Sequence, residues 1–235
     1  MLCRIADLLV EVPETGNMGQ RCEKYRYTGE EKPQVELSTA YYNRDNWPGL
    51  SEEEFIYMES GVQFYVHLLQ HTGMMLHASA VELDGKAYLF SGQCGAGKST
   101  HTRVWQKTFG DRAQVFNDDK PALRYLDGRW YAYGTPWCGK DGINLDKKVP
   151  LAGICFLVQS KENKIRRLSA KEAITRICEQ TLFRFRNPAN LERMLTQLDQ
   201  LVRDIPVFEL ENRPEPAAAH LSYETMRRAA EEENL

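Results

Sequence analysis

The stretch that decides the fold is Ala87-Tyr88-Leu89-Phe90-Ser91-Gly92-Gln93-Cys94-Gly95-Ala96-Gly97-Lys98-Ser99. An apolar strand is expected to run into the pattern G-x-x-x-x-G-K-S, with a helix beginning at its lysine. The glycines let backbone N–H groups curl around phosphate oxygens without obstruction by Cβ atoms, and the positive end of the helix adds to that field. Residues 92–99 are therefore predicted to form a phosphate-binding loop (P-loop) that binds a nucleoside triphosphate with Mg²⁺.

The side chains of this loop have separate predicted roles. Lys98 is expected to reach the β- and γ-phosphates, and Ser99 is expected to place its hydroxyl on the metal. The predicted cofactors are ATP and Mg²⁺. The predicted nucleotide-binding residues are Gly92, Gln93, Cys94, Gly95, Ala96, Gly97, Lys98, Ser99 and Thr100.

Two adjacent carboxylates, Asp118 and Asp119, follow the next predicted strand, which spans Ala113 to Phe116. If that strand returns parallel beside the first one, its C-terminal end lies next to the loop. One of the two carboxylates is then predicted to accept the proton of a hydroxyl nucleophile, and the other to hold the metal. Polar Asn117 precedes the pair and no glutamate follows it, which favours transfer over motor-type ATP hydrolysis. The alternative interpretation is an Asp-Asp turn before a hairpin.

A histidine and a glycine-rich loop complete the predicted site. His77 lies on the strand expected to form a hairpin with the strand that feeds residues 92–99, so it is either a catalytic group or a satisfied core histidine. Residues 134–142 form an irregular loop, and exposed loops of this kind often carry specificity. The residues of this loop predicted to contact a phosphate or the acceptor are Gly134, Thr135, Lys140 and Asp141.

The order of predicted elements favours a single α/β domain. Strands outnumber helices, and the turns Asp84-Gly85 and Asp127-Gly128 indicate hairpins. We therefore expect a mixed, hairpin-rich sheet flanked by helices. Its predicted parts are N-terminal strands at residues 1–50, a helix at 51–72, a nucleotide-binding core at 74–160, and C-terminal strands and helices at 161–235.

Two details of the N-terminal part are specific predictions. Tyr25-Arg26-Tyr27 is predicted to be a strand. Ser51 and Glu54 are predicted to form a capping box that opens the following helix. The three- and four-residue spacing predicts that the buried face of this helix consists of Phe55, Met58, Val62, Val66 and Leu69.

Composition excludes several classes of function. The net charge of −3 and a pI near 6.0 give no field that attracts nucleic acid or an anionic membrane. No apolar stretch is long enough to cross a bilayer, and the N-terminus is not typical of a signal peptide. The six cysteines, Cys94 and Cys138 among them, are interpreted as reduced thiols. A cytoplasmic protein without nucleic-acid or membrane partners is predicted, and a homo-oligomer stays open.

The order and spacing of these features resemble the catalytic domain of the HPr kinase/phosphorylase family. The features that carry the resemblance are His77, the strand into residues 92–99, Val115-Phe116-Asn117-Asp118-Asp119, and the glycine-rich loop. The resemblance covers about residues 74–160 and implies the fold that this family shares with the phosphoenolpyruvate carboxykinases. It also implies an aspartate base matching Asp118, a neighbour at the metal and substrate matching Asp119, and a histidine matching His77.

Two departures from that family pattern narrow the expectation. Residues 1–72 do not match the family's additional N-terminal domain, and residues 135–142 lack the glutamate of its signature loop. The chain is therefore similar to short HPr-kinase-like proteins, some of which phosphorylate peptides or free amino acids.

The predicted function is a kinase that transfers the γ-phosphate of ATP to a hydroxyl of a protein, peptide or small molecule such as serine. Asp118, Lys98 and His77 are its predicted catalytic residues, and Ser99 with Asp119 is predicted to hold the metal. One alternative is a nucleotide-binding regulatory protein or ATPase that phosphorylates no acceptor. Another is a carboxykinase-like transfer, which needs a second metal with histidine and lysine ligands.

Overall fold

Twelve strands and six α-helices make up the described part of the chain, which in this computed structural model comprises residues 1–40, 43, 45–181 and 187–233. The strands are Leu2–Ile5 (β1), Leu8–Glu11 (β2), Val35–Glu36 (β3), Gly73–Met75 (β4), Ala78–Leu83 (β5), Lys86–Ser91 (β6), Ala113–Asp119 (β7), Ala122–Leu126 (β8), Arg129–Tyr133 (β9), Lys148–Gln159 (β10), Lys164–Arg167 (β11) and Val207–Asn212 (β12). The helices are Gly16–Cys22 (α1), Glu52–Leu68 (α2), Lys98–Phe109 (α3), Ala170–Cys178 (α4), Pro188–Asp204 (α5) and Pro216–Glu232 (α6).

Strands β4 to β12 form one mixed sheet, as the hairpin-rich sequence predicts. Its main order is β4-β8-β9-β10-β6-β5-β7, and β12 pairs with both β10 and β11. The long strand β10 runs antiparallel to β9 at its start and parallel to β6 and β12 further along. Strands β1, β2 and β3 form a separate small sheet.

Local sequence accounts for the turns and helix starts. Asp84-Gly85 and Asp127-Gly128 connect antiparallel strands, and all four residues have positive φ, the conformation that two-residue hairpins favour. The predicted capping box at Ser51 is confirmed, since its side chain accepts from Glu54 N–H and Glu54 accepts from Ser51 N–H.

Two buried clusters cover opposite faces of the large sheet. Phe90 of β6 packs with Trp105 of α3 and belongs to the cluster that includes α6, whereas Leu89 belongs to the cluster with α2, α4 and α5. Successive side chains of a strand point to opposite faces, so β6 contributes to both clusters. Among the described helices, none is both long and apolar enough to cross a membrane.

Two predictions for the N-terminal half are wrong. Where a strand was predicted at residues 25–27, Glu23–Tyr25 forms a 3₁₀ turn that continues α1, and Arg26 only bridges to Cys3. The physical reason is tertiary, because Lys24 Nζ donates to the backbone and side-chain oxygens of Asn144, over 2.6 Å and 3.0 Å, and so fixes this segment against a distant loop.

The buried face of α2 also differs from the prediction. Met58 is 45% exposed, and the buried positions include polar Ser60 together with Phe64. Trp137 accounts for this rotation, since its ring stacks on Phe64 at 4.8 Å and its Nε1–H donates to Ser60 Oγ at 3.1 Å. A polar residue is thus buried with a partner, which a purely apolar periodicity does not reveal.

Candidate functional site

The loop at residues 92–97 joins β6 to α3 and has an unusual backbone. Gly92, Gly95 and Gly97 have φ values of 139°, 81° and 96°. A Cβ atom on Gly95 or Gly97 would meet nothing within 4 Å of the described chain, so conformation rather than crowding selects glycine there. Among the residues that the structure describes, no side chain caps the start of α3, which begins at Lys98. Open N–H groups at the positive end of a helix suit an anion.

The ammonium of Lys98 lies over this loop. Its Nζ donates to the carbonyl oxygens of Gly92, at 2.9 Å, and Gln93, at 3.2 Å. Burial lowers the pKa of Lys98, while Cys94 and the carboxylates of Asp119 and Asp118 act in the opposite direction. Neutral carbonyls are weaker acceptors than an ionised oxygen, so this ammonium can move to an anion that enters the loop.

Ser99, the second residue of α3, contacts the first of the two aspartates. Its Oγ donates to Oδ1 of Asp118 at 3.0 Å, whereas the sequence prediction paired Ser99 with Asp119. Asp118 lies opposite Ser79 of β5 in the strand register, and Ser79 Oγ is 2.9 Å from Thr102 Oγ1 of α3. Asp118 is therefore on the α3 face of the sheet.

Asp119 has a different set of partners. Its Oδ2 accepts hydrogen bonds from the Tyr57 hydroxyl and from Lys120 Nζ, both at 2.8 Å. The Tyr57 hydroxyl in turn accepts from the N–H of Gly139 at 3.2 Å. Burial raises the pKa of Tyr57, and the charge of Asp119 raises it further. Tyr57 therefore keeps its proton and remains a donor to Asp119 near neutral pH.

His77 lies between β4 and β5, directly before the first residue of β5, and not inside a strand as the sequence predicted. Its Nε2 is 3.3 Å from Oδ1 of Asp119. The backbone of His77 is fixed at both groups, since its N–H donates to Gln180 O and its carbonyl accepts from Ser91 Oγ. Burial, followed by the charge of Lys98, lowers the pKa of His77, which Asp119 opposes. The imidazole is therefore neutral at pH 7.

Strand geometry explains why adjacent carboxylates face different surroundings. Neighbouring side chains on β7 point to opposite faces, so Asp118 faces α3 and Asp119 faces α2. The β5–β7 register shifts between Ala80 and Val81, a bulge of the kind that redirects side chains at strand ends. Asp119 also has φ of 125°, a strained value for a residue other than glycine, and such strain is typical of functional sites.

The prediction that β7 returns beside β6 is wrong in one respect. Strand β5 lies between them, antiparallel to both, so β7 and β6 run in the same direction without pairing. The C-terminal ends of β6 and β7 and the start of β5 consequently meet at one edge of the sheet. The loop at residues 92–97, His77 and both aspartates lie at that edge.

The predicted substrate loop divides into two parts. Gly134 and Thr135 are buried. Thr135 Oγ1 donates to Lys120 O at 2.7 Å and so fixes the backbone that follows Asp119. Lys140 is exposed, and Asp141 pairs with Arg103 of α3 at 2.5 Å. The structure therefore brings Lys140 and Asp141 to the surface of the site but not Gly134 and Thr135.

Two cavities adjoin this edge of the sheet. The first, of about 450 Å³, lies between the loop at residues 92–96 and the end of β10, beside Arg176. The second, of about 570 Å³, lies between α1, α2 and the loop near Gly139. Tyr57 lines the second cavity and binds Asp119, so this cavity adjoins the second aspartate.

Sequence reasoning missed three residues at the site. Lys120 follows Asp119 directly and is the residue that the local sequence could have suggested. Tyr57 is on α2 and Arg21 is on α1, and neither residue lies in a sequence motif that would mark it as functional. Arg21 donates to Gly139 O at 2.9 Å, and its guanidinium lies 4.7 Å from the Tyr57 ring centre.

A metal cage made by the protein alone is not found. Among residues 1–40, 43, 45–181 and 187–233, no group of three or more His, Cys, Asp or Glu side chains is placed to hold a metal ion. Mg²⁺ in particular is commonly bound by one or two protein oxygens together with phosphate oxygens and water. Ser99 and Asp118 together offer the one or two protein oxygens that such a Mg²⁺ site needs.

Comparison with known proteins identifies the family. The family model described as "SynChlorMet cassette protein ScmC" matches residues 50–213, and the chain belongs to this family. No curated protein matches the chain. Among solved structures, the chain is similar to the Hpr(Ser) kinase/phosphatase from Coxiella burnetii, with 13% sequence identity, a TM-score of 0.38, and coverage of 66% of this chain and 94% of that one.

Proposed function

We propose that this member of the ScmC family is an ATP- and Mg²⁺-dependent phosphotransferase that acts on a hydroxyl group. The observation that carries the proposal is the contact between Ser99 Oγ and Asp118 Oδ1 at the uncapped start of α3. A hydroxyl and a carboxylate next to an open glycine loop form the usual protein half of a nucleotide–magnesium site.

The nucleotide would bind through the backbone of residues 92–97 and the first N–H groups of α3. Lys98 would exchange its carbonyl partners for the β- and γ-phosphates, and Ser99 with Asp118 would hold Mg²⁺. The absence of a side-chain cap on α3 and the open space beside Gly95 and Gly97 support this fit within the described structure. When bound, the metal would neutralise charge on the phosphate oxygens.

Asp119 would accept the proton of the acceptor hydroxyl. The acceptor oxygen forms a bond to the γ-phosphorus, the bond between that phosphorus and its bridging oxygen breaks, and the electron pair leaves with ADP. Neutral His77, placed against Oδ1, and Tyr57, which donates to Oδ2, would orient the carboxylate. This division exchanges the roles that the sequence alone suggested for Asp118 and Asp119.

The test uses γ-labelled ATP with Mg²⁺ and three sets of acceptors: free serine, serine-containing peptides, and water alone. We expect label on a hydroxyl-bearing acceptor, only when Mg²⁺ is present, and none with the Lys98→Ala variant. Label that stays on ATP in every mixture would favour a nucleotide-binding module. Label that appears only as inorganic phosphate, whatever acceptor is added, would favour an ATPase.

A further inference from the structure

The second cavity has the position expected for the acceptor. Two of its lining residues lie next to Asp119: the Tyr57 hydroxyl donates to the carboxylate at 2.8 Å, and a Cβ atom added to Gly139 would be 3.3 Å from Asp119 Cβ. The loop at residues 92–97 does not line this cavity. A molecule in it would therefore lie beside Tyr57 and Gly139, the lining residues next to Asp119.

Three separate segments build the cavity and hold it together. Arg21 of α1 donates to Gly139 O at 2.9 Å, and Asn144 Nδ2 donates back to Arg21 O at 3.0 Å. The hydroxyl of Tyr57 on α2 accepts from Gly139 N–H. Helices α1 and α2 and the loop are thus joined by direct hydrogen bonds, so the cavity is formed before any ligand binds.

The charged side chains that line the cavity differ in how many hydrogen bonds they already make within the protein. Glu54 is engaged by its own capping box with Ser51, and Glu53 accepts from Asn17 Nδ2 at 2.8 Å. Arg21 has five N–H donors, one side-chain hydrogen bond, to Gly139 O, is described for it, and its guanidinium also lies over the Tyr57 ring. Lys140 is an exposed cation on the same cavity. The two glutamates keep their negative charge, so these four side chains carry no net positive charge, and Arg21 and Lys140 supply the donors available to an anionic group of a ligand.

The size of the second cavity and its other lining residues indicate which class of ligand fits it. A cavity of about 570 Å³ holds a small molecule or the end of a peptide, and Met18 and Met58 give it an apolar part. A planar guanidinium matches a carboxylate, which it can bind with two parallel hydrogen bonds. We propose that this cavity binds the carboxylate of the phosphate acceptor, through Arg21 and Lys140, and so directs the acceptor hydroxyl towards Asp119.

This inference rests on the proposed phosphotransfer and is tested with paired acceptors. L-serine is compared with L-serinamide, and the tripeptide Ala-Ala-Ser with its C-terminal amide, at saturating ATP and Mg²⁺. We expect kcat/KM to be about 10- to 100-fold higher for the carboxylate of at least one pair, the range for one charge-assisted hydrogen bond. The pair that shows this preference identifies the carboxylate as that of a free amino acid or of a peptide terminus.

Variants of Arg21 link the preference to the cavity. Arg21→Gln should raise the acceptor KM by about the same factor and remove the preference, with the KM for ATP unchanged, and Arg21→Lys should restore part of it. Arg26→Gln is the matched control, because Arg26 is exposed and pairs with Glu23. L-alanine, which has the carboxylate but no hydroxyl, should compete with the acceptor in the unmodified protein, and L-alaninamide should not.

The outcomes separate this inference from the proposed function. Transfer to carboxylate and amide acceptors with equal efficiency would overturn the carboxylate site and leave phosphotransfer standing. Failure to transfer to any of the four probes, while Mg²⁺-dependent ATP binding persists, would also overturn the carboxylate site. If the unmodified protein does not bind ATP at all, the proposed function itself is contradicted.

Discussion

Asp118 and Asp119 are neighbours on β7, yet they belong to two regions that are built in different ways. On the α3 side, Asp118 contacts Ser99, and both lie within one stretch of chain from β6 to β7. On the α2 side, Asp119 contacts Tyr57, and the cavity beside it is closed by Arg21 and Gly139 from distant segments. The proposed nucleotide site is thus built from one local stretch of sequence, whereas the proposed acceptor site depends on how the N-terminal helices pack.

The α3 side should give the largest effect. Lys98→Ala removes the only side-chain ammonium described over the loop at residues 92–97 and should lower phosphate transfer by about 10²- to 10³-fold, with weaker ATP binding. Lys107→Ala, an exposed change on the same helix, should have neither effect. Titration calorimetry with ATP and Mg²⁺ and a transfer assay measure the two quantities. If the two variants have the same ATP affinity and the same transfer rate, Lys98 does not act in the site.

The α2 side should respond in transfer alone. Tyr57→Phe keeps the ring but removes the donor to Asp119 Oδ2 and the acceptor for Gly139 N–H. We expect transfer to fall about tenfold, in line with the loss of about 1.4 kcal/mol of hydrogen bonding. ATP affinity should stay the same. Tyr65→Phe on the same helix is the control, and a drop in ATP affinity for Tyr57→Phe alone would contradict the division into two sides.

A third prediction uses the two histidines, one on each side. His101 on α3 is fully enclosed, and burial lowers its pKa to about 4, while His77 on the other side is half-buried. In the unfolded chain His101 takes up its proton near pH 6.5. The stability that the neutral, buried imidazole contributes is therefore fully present above pH 6.5 and is lost as the pH falls towards 4. The loss at the acid end is about 3 kcal/mol.

Urea unfolding at pH 7 and pH 4.5 measures this effect. The free energy of unfolding should drop less for His101→Gln than for the unmodified protein, because the carboxylates that also titrate in this range are common to both. An equal drop in both proteins would show that His101 is already protonated in the folded state.

The same division separates what the sequence predicts from what it does not. The glycine loop, Ser99 and the two aspartates lie in one continuous motif, so periodicity and turn chemistry place them correctly at one edge of the sheet. The face of each aspartate is decided by the β5–β7 bulge and by the strained φ of Asp119, neither of which has a sequence signal. For that reason the prediction paired Ser99 with Asp119 instead of Asp118.

The α2 side could not be predicted from the sequence for a related reason. Tyr57 looks like any helical aromatic residue, and Arg21 was placed in a segment interpreted as strands. Only the fold shows that α1 and α2 meet the loop at Gly139. Contacts between residues far apart in sequence leave no local pattern, so this half of the site could not be predicted.

The roles of the two carboxylates are tested by comparing Asp118→Asn with Asp119→Asn in the same two assays. We predict that Asp119→Asn binds ATP with Mg²⁺ almost as well as the unmodified protein but loses transfer by about 10²-fold or more. Asp118→Asn should instead lose the Mg²⁺ dependence of ATP binding. The reverse result, with Asp118→Asn retaining metal-dependent binding and losing only transfer, would contradict the assignment of the two carboxylates to the two sides.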